Sequence, residues 1–238
     1  ALRGIGVETD DVGVLRGLGE AQLQALPPLG LSGGIPAIDG EFVVEDLWAT
    51  WRAGREAPVP LMIGATSQET PPLPPEVRAE FRKVLDPFIS AQTEAALAPV
   101  YGGRDVLDAH LSADFTFAAM MHSFAALHEA NGHAAYRYRF ATLTPAAREK
   151  FQGLPHSGEL PYVFGNLEAS PWPMTPADRQ VADAAMDYWV EFARSGRPSP
   201  KGRAAWPRAT RDRIMLFDDA RARPAADDRA ARYRALAE

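Results

Sequence analysis

Cysteine is absent from all 238 residues, which rules out disulfides and thiolate metal sites. That absence leaves the compartment open, because cytoplasmic and exported chains alike can do without cysteine. No apolar run approaches the ~18 residues that a membrane-spanning helix needs. Positive charge is in short supply: Lys and Arg number 25 against 31 Asp and Glu, a formal net charge of -6. With no dense Lys/Arg stripe, a nucleic-acid surface is excluded. Nothing in the sequence calls for a nucleic-acid or membrane partner. A signal peptide is missing too: the chain opens Ala1-Leu2-Arg3-Gly4, without a basic start, an apolar core or a cleavage site. That opening reads as the middle of a longer protein, so localisation stays undetermined. No phosphate-cradling loop, dinucleotide fingerprint or internal repeat occurs.

What is present is an ordinary globular balance, with 46% apolar and 24% charged residues. Abundant Ala, Arg and Pro fit a GC-rich bacterial genome. Residues 1–30 read as short helical pieces, with Leu15, Leu18, Leu23 and Leu26 as a weak apolar face. Leu26 to Gly40 reads as a loop rich in Pro and Gly. The apolar run at 59–65 predicts a strand buried on both faces, followed by a loop over Thr66–Pro75. Glu76–Asp86 predicts a helix, and Ser90 caps a second that reaches Val100. Asp114–Asn131 predicts a long helix on the spacing of Phe117, Met120, Met121, Phe124 and Leu127, stopped by Gly132. These apolar residues read as core.

Residues 134–142 alternate, with Tyr136, Tyr138 and Phe140 on one side and Arg137 and Arg139 on the other, which predicts a strand. Thr175-Pro176 opens a helix with proline at its first position; Gly196 and Pro198 end it. Its inner stripe is Val181, Ala185, Tyr188 and Phe192. Ile214–Phe217 predicts a last short strand, and the Ala/Arg/Asp-rich remainder a peripheral helix. Strands alternating with helices give an α/β class with a mostly parallel central sheet flanked by helices. Three strands are few for such a sheet, so part of the domain is expected outside this chain.

In α/β proteins functional groups gather in loops beyond the carboxyl ends of strands. Two titratable residues stand there: Glu69 after the first strand and His156 after the second. An acid followed by a histidine matches the last two members of a Ser-acid-His triad. The imidazole takes a proton from a hydroxyl, and the carboxylate fixes its tautomer and stabilises the imidazolium.

The surrounding motifs sharpen this reading. Pro155-His156-Ser157-Gly158-Glu159-Leu160-Pro161-Tyr162-Val163-Phe164-Gly165 closely resembles the histidine motif of type B carboxylesterases, the branch that includes cholinesterases. Pro36-Ala37-Ile38-Asp39-Gly40 resembles the family's Pro-x-x-Asp-Gly segment. Val59–Glu69 resembles its strand and acid loop, with Gly64 opening a Gly-x-x-x-x-Glu pattern. Tyr188–Pro198 and then Trp206-Pro207 resemble its late helix and the Trp-Pro beyond it. The elements come in family order along nearly the whole chain.

The resemblance implies the C-terminal portion of one α/β-hydrolase domain over residues 1–238. Glu69 would be the triad acid, His156 the general base, and Glu159 a buried structural carboxylate behind the histidine. Gln68, Thr70, Pro71 and Pro72 depart from the Asp and Gly that commonly flank the acid.

The family's nucleophile lies in a Gly-x-Ser-x-Gly elbow between a strand and a helix. Gly30-Leu31-Ser32-Gly33-Gly34 fits the letters, but Pro27-Pro28 and Ile35-Pro36 deny it both elements. The nucleophile is therefore expected from a complementary N-terminal chain or segment, and this chain alone is expected to be inactive. The implied activity is hydrolysis of a small-molecule carboxylic ester through an acyl-enzyme, without cofactor or metal. The alternative is a non-catalytic cholinesterase-like domain that binds a protein partner. His128-Glu129 with His133 comes near a zinc motif, but Gly132 stands where the second histidine is needed. His110 and His122 have no partners at ligand spacing.

Overall fold

A short apolar run bounded by prolines and polar turns favours a strand, and Leu61–Thr66 forms one. The expected burial on both faces is not met: only Ala65 and Thr66 are buried, and Leu61–Gly64 are half-buried. The computed structural model describes residues 7–9, 11–25, 38–70, 85, 88–219 and 221–237. They fall in two units, residues 1–50 and 51–238.

In the first unit, α1 (Val12–Arg16) and α2 (Glu20–Gln24) are single-turn pieces, as the leucine spacing predicts. Gly30–Gly34, with Ser32, lies outside the described residues. Asp39 organises the loop after it: its carboxylate accepts the backbone N–H groups of Glu41, Phe42 and Val43 at 2.8–3.0 Å. Those bonds hold its carboxyl below the usual range. Gly40 takes a φ of 76°, a conformation suited to glycine. The helix α3 (Leu47–Arg52) spans the boundary between the units.

The second unit is a four-stranded sheet with helices packed against it. Its elements are β1 (Leu61–Thr66), α4 (Ala91–Tyr101), α5 (Arg104–Ala113), α6 (Ala119–Ala130), β2 (Ala135–Phe140), α7 (Pro145–Arg148), α8 (Leu160–Val163), α9 (Pro176–Ser195), β3 (Arg213–Asp218), β4 (Arg221–Ala226) and α10 (Ala230–Ala237). The order is β1-β2-β3-β4, parallel from β1 to β3, with β4 antiparallel at the edge. The α/β class and the mostly parallel sheet agree with the sequence reading. Most of the helix predicted over Glu76–Asp86 lies outside the described residues.

Two further expectations need correction. The tail is not only a peripheral helix: Arg221–Ala226 pairs along all of β3 before α10 begins. The strand contains Pro224, which costs little at a sheet edge, where no outer neighbour needs its missing N–H. The long helix also begins at Arg104 instead of Asp114. It passes through a π-helical turn at Asp114–Ala118 before continuing as α6.

The alternation in β2 builds two different cores. Tyr136 and Phe140 face α9 and pack with Val181, Ala185, Tyr188, Trp206 and Phe217, all buried. Burying a large side chain of this kind contributes about 1.5–3 kcal/mol. Thr175 and Asp178 form a capping box at the start of α9, and Gly196 ends it with a φ of 69°. The opposite face carries Arg137 and Arg139 inward, where Asp227 and Asp228 pair with them.

Asp114, at the head of the π turn, is buried, and its Oδ2 has no hydrogen-bond partner among the described residues. Burial pushes its carboxyl up to about 6, against the opposing pull of Arg229 and Arg232. The folded value thus exceeds the unfolded one, so ionisation favours the unfolded chain. Stability is full below the unfolded value near 4 and falls until the folded group has also ionised, near pH 6. Denaturant titrations between pH 4 and pH 7 are expected to show this decline, on the order of 3 kcal/mol at most. Asp114→Asn is expected to remove it. A variant with the parent's pH profile would show that Asp114 does not contribute to the decline.

Candidate active site

Glu69 and His156 are far apart in sequence but emerge at neighbouring strand ends. β1 hands the chain to Ser67, whose N–H donates to Phe140 O at 2.8 Å, extending the parallel pairing past the end of β1. The loop carrying His156 returns to this edge. Gln68 N donates to Leu154 O at 3.0 Å, and Gln68 and Pro155 form an isolated parallel bridge. Side chains lock the seam: Gly153 N donates to Gln68 Oε1 at 2.9 Å, and Leu154 N to Ser67 Oγ at 2.8 Å. A Cβ at Gly153 would stand 2.8 Å from Ser67 Oγ, so the close approach requires glycine. Gly64 is required for the same reason, since a Cβ there would stand 2.3 Å from Tyr138 O.

This seam brings the two predicted residues together. His156 Nδ1 lies 2.6 Å from Glu69 Oε2. The other carboxylate oxygen accepts the backbone N–H of Thr66 at 2.6 Å. Glu69 is therefore buried with both oxygens engaged, which fixes its orientation. The His156 side chain, by contrast, is 59% exposed, and its Nε2 makes no hydrogen bond among the described residues. A carboxylate on Nδ1 sets that nitrogen as the N–H and leaves Nε2 as the free base. An imidazole so held can take a proton from a hydroxyl brought to Nε2.

Glu159, three residues after His156, is half-buried, not buried as the resemblance implies. One oxygen, Oε2, is buried without a partner among the described residues. Burial, with the Glu69 carboxylate, raises its carboxyl above the ordinary glutamate value, while His156 pulls it down. Phe117, Met120, Met121 and Leu127 were expected in the core with Phe124. Only Phe124 is buried; the others are half-buried, and the Phe117 ring sits 5.0 Å from the His156 ring. Helical spacing alone cannot reveal this, because the π turn shifts the stripe. Arg229 was missed as well. Its Nη1 donates to Ser67 O at 2.9 Å, bracing the acid loop from the C-terminal side.

His128 of the near-zinc motif is held in other contacts. His128 is buried, with Nδ1 3.0 Å from Glu56 Oε1 and Nε2 2.8 Å from Val59 O. It ties the loop before β1 to α6. His122 contacts Asp212, at 3.4 Å.

A model described as the carboxylesterase family matches residues 105–231. The chain is 25% identical over 197 residues to a para-nitrobenzyl esterase of Bacillus subtilis, covering 76% of this chain and 39% of that protein. It is 38% identical over 77 residues to a mouse (Mus musculus) bile salt-activated lipase, covering 31% of this chain and 13% of the lipase. In three dimensions it superposes on a Geobacillus stearothermophilus carboxylesterase with a TM-score of 0.71 at 22% identity. That match covers 99% of this chain and 52% of the other, so the chain spans about half the length of the esterase structure. The likeness places the fold among the α/β-hydrolases.

Proposed function

Because this chain belongs to the carboxylesterase family, we propose that it supplies the acid and base of a serine ester hydrolase. The observation that carries the reading is the Glu69–His156 contact of 2.6 Å, with Nε2 left free on an exposed imidazole. The nucleophilic serine and the oxyanion-binding amides come from an N-terminal portion of the protein preceding Ala1. The Geobacillus esterase structure, of which this chain covers 52%, supports this division.

In the proposed reaction the serine hydroxyl attacks the ester carbonyl as His156 Nε2 takes its proton. The tetrahedral intermediate collapses, and the imidazolium returns that proton to the departing alkoxide, which leaves as the alcohol. Water then enters; His156 removes one of its protons, and the hydroxide attacks the acyl-enzyme. Collapse releases the carboxylic acid, and the proton returns to the serine. Glu69 keeps Nδ1 protonated throughout and stabilises each imidazolium. Each oxyanion-hole donor contributes about 3–4 kcal/mol in comparable sites. The machinery uses no cofactor or metal, and its substrate is a small or medium carboxylic ester.

Fluorophosphonate labelling, with intact mass and peptide mapping, tests this directly. The complete protein is expected to gain one adduct on a serine N-terminal to Ala1, and the present chain alone none. An adduct on Ser32 would move the nucleophile into this chain. A complete protein that takes no adduct would favour the cholinesterase-like protein-binding domain.

A further inference from the structure

One hydrogen bond to a carboxylate does not immobilise an imidazole. The ring can still swing about the Nδ1–Oε2 line, carrying Nε2 away from any fixed target. His156 is mostly exposed, so packing by its own loop supplies little restraint. Phe117 covers one face of the ring, at 5.0 Å between centroids and 37° between planes.

The π turn sets the position of Phe117. Within Asp114–Ala118 the hydrogen bonding widens, and Ala119 N–H donates back to Asp114 O. A π turn inserts an extra residue into a helix, rotating the residues beyond it by about 100° relative to an uninterrupted α-helix. Leu107 and Leu111 pack into one cluster before the turn, and Ala118, the last residue of the turn, packs with Ala119 beside Ala65 and Tyr233. Phe117 lies between these two buried sets. It is half-buried, and its aromatic contact among the described residues is with His156. Such turns recur at functional sites because they present a side chain that regular geometry would turn away.

We propose that Phe117 is a positioning residue for His156. Its ring holds the imidazole in the rotamer that joins Nδ1 to Glu69 and leaves Nε2 facing the nucleophile. Its π face also favours the imidazolium that forms during acyl transfer, an interaction stronger in the transition state than in the ground state. This inference rests on the proposed esterase reading.

The test compares Phe117→Leu and Phe117→Tyr in the complete protein, with esters of one alcohol and short or longer acyl chains. Phe117→Leu is expected to lower kcat by about tenfold, the scale of losing one ring pair, with KM unchanged and the same ratio for every acyl chain. Phe117→Tyr is expected to restore the rate. A loss confined to KM, or one that grows with acyl length, would make Phe117 a substrate wall and overturn the proposal. So would an unchanged kcat.

Proton NMR of the His156 Cδ2–H gives a second reading independent of turnover. The ring-current shift is expected to vanish in Phe117→Leu and persist in Phe117→Tyr; an unmoved resonance would overturn the contact itself. His156→Ala and fluorophosphonate labelling of the parent separate the two levels. An active, labelled parent with an indifferent Phe117 sinks only the positioning role. A parent that neither turns over nor labels sinks the esterase reading, and the positioning role with it.

Discussion

His156→Ala in the complete protein is expected to lower kcat by on the order of 10⁶-fold, with KM little changed, as for loss of a triad histidine. Glu69→Gln is expected to cost on the order of 10⁴-fold, for a different reason. Glutamine can still accept the Thr66 N–H through Oε1, so the loop keeps its shape. Its amide NH₂ would then face Nδ1, where a carboxylate stood. A donor there requires Nδ1 to accept, which moves the ring proton to Nε2 and removes the base from the reacting side. Such a variant should fold like the parent, and circular dichroism with denaturant titration checks that. Turnover of a chromogenic ester gives the rates. The double variant is expected to be no slower than His156→Ala alone, because residues that act as one unit are not additive. Rates for either single variant within tenfold of the parent would remove Glu69 and His156 from the chemistry.

How much of this was legible in the sequence differs from residue to residue. β1 was readable because Leu61–Ala65 is short, apolar and flanked by prolines and a polar loop. β2 was readable from Tyr136, Tyr138 and Phe140 at alternate positions, and the meeting of Glu69 with His156 from the motifs around them. β4 was not, since Arg221-Ala222-Arg223-Pro224-Ala225-Ala226 holds neither a β-branched nor an aromatic residue. Its pairing comes from β3 alongside it, a tertiary preference that overrides local propensity. The π turn was equally hidden: no residue type marks it, and the apolar spacing of Phe117 and Phe124 reads as one face of a regular helix. The inward arginines defeat the pattern in another way. Alternation separates the two faces of β2 but cannot tell a solvated charged face from one paired underneath a helix.

That paired face carries the largest stability effect. Asp227 accepts from Arg137 Nη2 and from Arg139 Nη1, and its Oδ1 also accepts the backbone N–H of Arg229 at 3.2 Å. The Arg137 and Asp227 side chains are only 6% and 3% exposed. Burial works against the Arg137 charge, and Asp227 is the main group that offsets it. Asp227→Ala is therefore expected to cost about 3–5 kcal/mol, because it leaves a guanidinium buried without its counter-charge. Arg137→Met with Asp227→Leu is expected to recover much of that loss, since an apolar pair of similar volume carries no desolvation penalty. Denaturant titration of Arg137→Met, Asp227→Leu and their double variant, read as a cycle, measures the coupling. A cost below about 1 kcal/mol for Asp227→Ala would place the pair among weak, solvated ion pairs and refute its structural role. Asp227→Ala also reaches the candidate active site through one further link. Asp227 fixes the start of the turn that carries Arg229, and Arg229 donates to Ser67 O beside the acid. A folded Asp227→Ala variant should thus lose activity through a displaced Glu69, with the loss falling on kcat instead of KM. That pattern ties the sheet's buried charges to the orientation of the base.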